Sequence, residues 1–317
     1  MAKFSCSQGK FSGKGNVEIF YQQWAADRPK VNVVIVHGLG EHSGRYSNII
    51  EACEGKGVSF FALDHRGHGR SNGERGHTNS FMDYIIDLKI FVNTIRRNHP
   101  DTPLLMLGHG LGGTIACKFA LTYQNDLSGI ILSSPGFMPT IDVPILKTRC
   151  ADLLSALTPS FSISYGIDPA ELSHDEVSIA GFAEDPLIHT TITPRFYTEY
   201  MEGASFCLDH ARQLRIPLLI IHGEEDRFCD PKGSQLFFDR AESEDKRISI
   251  LPGLFHETMN ETIKPRTKVL SLLSKWIIAH SHVKSVRHTA PSPEKKKTAE
   301  KKTKSSLKGK TRIAKKA

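Results

Sequence analysis

The sequence predicts an α/β fold, a mostly parallel sheet covered by helices on both faces, and three observations predict it. Short apolar runs of strand length recur along the chain, after the first few they alternate with stretches at helical spacing, and several end in glycine-rich turns. In order, the strand runs are Val17–Tyr21, Val31–Val36, Ser59–Leu63, Leu104–Leu107, Gly129–Ser133, Leu218–His222 and Arg247–Leu251. Ser80–Asn98 reads as a helix because Phe81, Tyr84, Ile85, Leu88 and Phe91 fall on one face, and Leu111–Tyr123 is a second, amphipathic helix ending before a polar turn. Both stripes read as core. Between Pro135 and about Ala211 the alternation stops, and Leu146, Leu153, Leu154, Leu157, Phe161 and Phe182 are spread among polar breaks.

The run Leu104 to Gly113 is the most informative part of the chain. An apolar strand turns into a helix through Gly108-His109-Gly110-Leu111-Gly112, the layout of a nucleophile elbow, Gly-x-Ser-x-Gly, with Gly110 at the nucleophile position and the serine absent. Gly108 and Gly112 stand where strand and helix pass too closely for side chains. Elbow conformations cost a non-glycine residue about 1–3 kcal/mol, and glycine adopts them freely, so Gly110 favours the fold while removing the hydroxyl. By itself the motif reads equally well as a plain glycine-rich turn.

An elbow hydrolase needs an acid and then a histidine after later strands. The strand Leu218–His222 is followed by Glu224, Glu225, Asp226 and Asp230, of which Asp226 is the candidate acid; the others remain alternatives, as does a solvated acidic loop. His256, after the strand and turn Arg247–Gly253, is the candidate general base, whose tautomer Asp226 would fix. Upstream, Val33–Val36 runs into His37-Gly38-Leu39-Gly40, the setting for an oxyanion donor, so the backbone amides of Leu39 and Leu111 are the candidate oxyanion hole.

Together these segments resemble the α/β-hydrolases of the monoacylglycerol lipase and lysophospholipase type, a group also labelled serine aminopeptidase-like. The resemblance is carried by His37–Tyr46, Leu63–Ser71, Gly73–Gly76, the elbow, Asp185-Pro186-Leu187, the Asp226 loop and His256, all in family order. It implies an α/β-hydrolase fold with a mostly parallel eight-stranded sheet formed by residues 1–135 and 212–282, a helical cap with an apolar underside over 136–211, for which plain packing against the sheet is the alternative, and ester hydrolysis of a monoacylglycerol or lysophospholipid through an acyl-enzyme. It implies no metal and no organic cofactor. The departure at Gly110 puts the hydrolysis itself in question.

Composition bounds the remainder. The chain has 317 residues, 39% of them hydrophobic, which suits one catalytic domain with a cap, and no apolar run is long enough to span a bilayer. The first residues lack the apolar stretch of a signal peptide, and Cys6, Cys53, Cys117, Cys150, Cys207 and Cys229 show no metal spacing, so a cytoplasmic protein with reduced thiols is expected. Cys229 alone lies near the candidate site, without the elbow geometry a substitute nucleophile needs.

From Val283 on, 13 Lys or Arg and 2 Glu give 13 − 2 = +11, leaving residues 1–282 at +7 − 11 = −4. Composition predicts that 283–317 is disordered, with an anionic membrane surface, nucleic acid or an import receptor as candidate partners and an unpartnered solvated tail as the alternative. Nuclear or membrane-surface association would follow from the first set. Three functions compete: a lipid-binding protein without turnover, a weak esterase using a His256-activated water, and a scaffold whose tail binds polyanions. Deleting residues 283–317 is expected to abolish retention on heparin without altering the melting temperature; retention that survives would place the basic surface on the folded domain.

Overall fold

The structure, a computed structural model, describes residues 4–140 and 150–282. Leu146 and the basic tail lie outside the described residues. The chain opens with β1 (Ser5–Ser12) and β2 (Glu18–Ala25), which pair antiparallel. β1 is an edge strand with mostly exposed side chains, Phe11 stacking on Phe91 being an exception, so it leaves no apolar alternation to see in the sequence.

β3 (Val31–Val36), α1 (Ser47–Ala52), β4 (Val58–Leu63), α2 (Phe81–Asn98), β5 (Leu104–His109), α3 (Leu111–Tyr123) and β6 (Gly129–Ser133) follow as alternating strands and helices. β3 to β6 are buried along their whole length, which is why they read as unbroken apolar runs. Ser80 caps α2, its hydroxyl accepting from the Met82 amide, and so places the helix start one residue after the Ser80 expected from the sequence.

The segment between β6 and the next sheet strand carries α4 (Cys150–Leu157), a small hairpin of β7 (Ile163–Ser164) with α5 (Glu176–Glu184) between it and β8 (Thr191–Ile192), and α6 (Pro194–His210). The chain then returns to the sheet with β9 (Leu218–Gly223), α7 (Pro231–Arg240), β10 (Lys246–Leu251) and α8 (Ile263–Ala279). The eight sheet strands run in the order β1-β2-β4-β3-β5-β6-β9-β10. All neighbours from β4 to β10 pair in parallel, and only β1 and β2 are antiparallel.

Alternate residues of the central strands feed two cores. Val34, Val36, Leu63 and Met106 face α2, α3 and α6, where Phe81, Leu88, Phe119 and Phe196 pack; Val33, Ile35, Phe60 and Leu105 face α1 and α8, with Ile49, Val269, Leu273 and Ile277. α6 buries Phe196, Tyr200, Ala204 and Cys207, and so lies against the helices of the sheet rather than standing apart from them.

One close approach fixes the centre of this arrangement. A Cβ on Gly112, in the first turn of α3, would overlap the Val36 and His37 carbonyl oxygens, and one on Gly108 would overlap the Gly112 carbonyl. Gly112→Ala is therefore expected to destabilise the protein by about 3 kcal/mol or more, because backbone cannot move aside as a side chain can. Urea denaturation checks this, and a loss below about 1 kcal/mol would show that α3 can shift off β3.

Candidate active site

The site lies at the carboxyl ends of β3, β5, β9 and β10, where loops leave a parallel sheet and ligands commonly bind. At the β5–α3 turn Gly110 has φ 54° and ψ −121°, outside the regions open to a side-chain-bearing residue without strain. The turn is held by backbone: the Gly110 amide donates to Ser133 O at 3.1 Å, and the Gly110 carbonyl accepts from Gly113 and Gly136 at 3.0 and 2.9 Å. A Cβ built on Gly110 would point at His256 Nε2, 3.2 Å away.

His256, in the β10–α8 loop, donates from Nδ1 to Asp226 Oδ2 at 2.7 Å. Asp226, in the β9–α7 loop, is saturated: Oδ1 accepts from the Phe228 and Cys229 amides at 2.8 and 3.0 Å, and Oδ2 also accepts from His222 Nε2 at 3.0 Å. His222 is oriented in turn by the Ser234 hydroxyl, 2.7 Å from its Nδ1. Burial would raise the Asp226 pKa, but the His256 and His222 rings outweigh it and hold the carboxyl well below the usual carboxylate range. Burial likewise opposes charge on His256, yet Asp226, Glu257 and Glu41 prevail and raise its pKa. Glu224 and Glu225 are exposed and Asp230 caps α7, so of the acidic residues in the loop Asp226 is the one brought to His256.

Facing this pair are groups whose importance the sequence did not reveal. Glu41 is 5% exposed and accepts from the Gly38 amide at 2.5 Å and from the Tyr46 hydroxyl at 2.6 Å. Burial pushes its pKa up, but His109, Arg45 and His37 bring it down to about 2. Arg45 lies between two carboxylates, with Nη2 2.8 Å from Glu257 and Nε 3.3 Å from Glu41. His109 stacks at a tilt on His256, ring centroids 4.6 Å apart, and burial followed by that neighbour lowers its pKa to about 4, so it is neutral at physiological pH. Glu41 stands in the glycine-rich segment after β3 four residues before Arg45; the i,i+4 spacing was a signal, but burial beside the elbow was not.

A pocket of about 870 Å³, counting its open mouth, rises above Gly110. Its walls are largely apolar, with Leu39, Tyr165, Ile167, Leu172, Phe182 and Phe228 contributing, and its floor holds the polar groups just described. At the rim, Arg227 of the Asp226 loop bonds Glu171 of the inserted segment at 2.6 Å. Leu39 and Leu111 line the pocket next to Gly38 and Gly110 in the chain, and among the described residues neither backbone amide has an acceptor.

The sequence pattern of the family described as serine aminopeptidase, S33, matches residues 27–263. The chain belongs to this family. It is similar to a protein named monoacylglycerol lipase from Mycolicibacterium smegmatis, 34% identical over 88% of this chain and 100% of that one, and to the monoglyceride lipase of Rattus norvegicus, 31% identical over 82% and 86%. Among solved structures, the monoacylglycerol lipase of Paleococcus ferrophilus superposes with a TM-score of 0.73 at 29% identity, over 87% of this chain and 99% of the other. The α/β-hydrolase fold of this family is the eight-stranded arrangement described above.

In this family member the ligand atoms of Asp226, Cys229 and His256 lie within 4.8 Å of one another. They make a poor metal cage. Both Asp226 oxygens already accept two hydrogen bonds each, and burial followed by Asp226 pushes the Cys229 thiol well up, against the thiolate a metal needs. Among the described residues no helix is long and apolar enough to cross a membrane. Asp226→Asn is expected to lower the His256 pKa, since it removes the nearest carboxylate but keeps an acceptor of similar shape; an NMR titration of the His256 ring measures this. A pKa that stays put would assign the stabilisation of the imidazolium to Glu41 and Glu257.

Proposed function

We propose that this protein binds an acylglycerol- or lysophospholipid-type lipid above Gly110 and has lost most of the ester hydrolysis its architecture served. The relatives named monoacylglycerol lipase support the ligand class, and the apolar walls over a polar floor support its orientation, acyl chain up and head group down. One observation carries the reading. The side-chain position at Gly110 lies 3.2 Å from His256 Nε2, so a serine there would reach the imidazole, and glycine offers it nothing.

In this reading Asp226 holds His256 with its Nδ1–H fixed and Nε2 open toward the pocket, and the Leu39 and Leu111 amides form the oxyanion hole. As backbone groups, those amides do not depend on the residue at 110. Residues 136–211 act as the cap between the two halves of the core, 1–135 and 212–282. Within it Leu153, Leu157, Phe161 and Val177 are exposed apolar side chains, an outer face fitted to lipid.

Removing the serine of a working triad costs about 10⁶ in turnover, while binding and the oxyanion hole retain about 10³–10⁴ over water. The intact His256–Asp226 pair also supports a second reading, in which His256 activates a water above Gly110 and a slow esterase remains.

Gly110→Ser is expected to react with a fluorophosphonate probe and to raise monoacylglycerol hydrolysis by at least about 10³-fold, with Gly110→Ser/His256→Ala returning to the starting level. The strained turn should make the serine variant less stable by about 1–3 kcal/mol. A folded Gly110→Ser protein that neither labels nor turns over would overturn the proposal. Hydrolysis by the unaltered chain that His256→Ala stops would favour the water route instead.

A further inference from the structure

We infer that the ligand this site is shaped to retain is a free fatty acid rather than an ester, its carboxyl bridging the Leu39 and Leu111 amides on one oxygen and His256 Nε2 on the other. The inference rests on the lipid-pocket reading above and names the ligand of that pocket. It starts from the space at Gly110. The nearest neighbours of a Cβ there would be His256 Nε2 at 3.2 Å, His256 Cε1 at 3.6 Å and Gly38 Cα at 3.8 Å, so the glycine leaves room for one atom against the imidazole. Leu39 and Leu111, whose amides have no acceptor among the described residues, line the same pocket as Gly110 and His256.

A carboxyl group matches both features at once. One oxygen accepts from the backbone amides, and the other, carrying no substituent, sits in the space above Gly110 and accepts from a protonated His256. An ester fills only the first place, because its second oxygen carries the glyceryl carbon. With a serine at 110 that space would be occupied, so the glycine distinguishes acid from ester.

Charge decides how the acid must enter. His256 is faced by Asp226 and the Cys229 thiol, whose pKa burial pushes well up, from the β9–α7 loop, by Glu41 and Arg45 from the β3–α1 loop, by His109 from the elbow and by Glu257 from its own loop, with the Arg227–Glu171 pair at the rim. Three carboxylates against one guanidinium would repel a bare anion. The same carboxylates stabilise an imidazolium, and His109, held neutral, does not compete with it. Where His256 is neutral in the empty site, the acid therefore binds with one proton placed on His256 Nε2, and the net charge of the site does not change.

A linkage follows. Above the pKa of His256 in the empty site, every carboxylate bound takes up one proton, so its affinity falls by about tenfold per pH unit. An uncharged lipid shows no such slope. Titration calorimetry with decanoate and with 1-O-decylglycerol, a non-hydrolysable ether, tests this from about pH 6 to about pH 9, where the fatty carboxyl is ionised throughout. Above the empty-site pKa of His256, decanoate is expected to weaken with that slope and to take up close to one proton, read from buffers of different ionisation enthalpy; below it, where the ring is already protonated, slope and uptake should vanish. Decylglycerol should show no dependence. His256→Gln should abolish the slope and weaken decanoate at least about tenfold at low pH, and Gly110→Ala should weaken decanoate, a cooperative melting transition for each variant serving as proof of folding. Decanoate binding that is independent of pH or untouched by His256→Gln, with decylglycerol still bound, overturns this inference alone. Failure of the folded protein to bind either ligand overturns the lipid-pocket reading with it.

Discussion

The site depends on how closely the first turn of α3 presses against the end of β3. Gly112 meets the Val36 and His37 carbonyls with no room for a side chain, and this contact sets the elbow beside the His37–Gly40 loop. Everything on the pocket floor follows from that juxtaposition. Gly38 comes within reach of the space above Gly110, Leu39 and Leu111 both line the pocket, and Glu41 bonds the Gly38 amide.

Against that rigid half stands an electrostatic one. Asp226 is a buried carboxylate with all its lone pairs engaged, two by backbone amides that fix its plane and two by imidazoles. Burying such a charge without partners would be prohibitive, and the four donors are what make it tolerable. Glu41 and Glu257, with Arg45 between them, repeat the pattern on the other side of His256. The imidazole is thus surrounded by negative charge held in place by structure, a setting that favours proton uptake over release.

Much of the fold was legible because the central strands are buried on both faces and so are written as apolar runs. β1 was not, because Ser5–Ser12 joins the sheet by its edge and keeps most of its side chains in solvent, Phe11 excepted. In the site, Asp226 and His256 could be read from the order of strands and turns, and the structure brings them within 2.7 Å. His222 and His109 were hidden inside strand and motif. A histidine ending a strand declares nothing until the Asp226 loop folds back over it, and His109 matters only because His256, from far along the chain, stacks on it. α6 escaped a clean assignment for a related reason: its apolar face serves the helices on the sheet, although its sequence lies within the inserted segment.

The bond between Arg227 and Glu171 has a kinetic meaning. Its side chains are 64% and 37% exposed, so it belongs to the class of surface ion pairs that contribute about 0–1 kcal/mol. A contact of that strength changes the ratio of open to closed mouths by no more than about fivefold, and salt erodes it further. The rim is therefore a poor barrier. For a lipid bound as proposed, residence would then be governed by what holds it on the floor, and the doorway would set little beyond the ease of finding it.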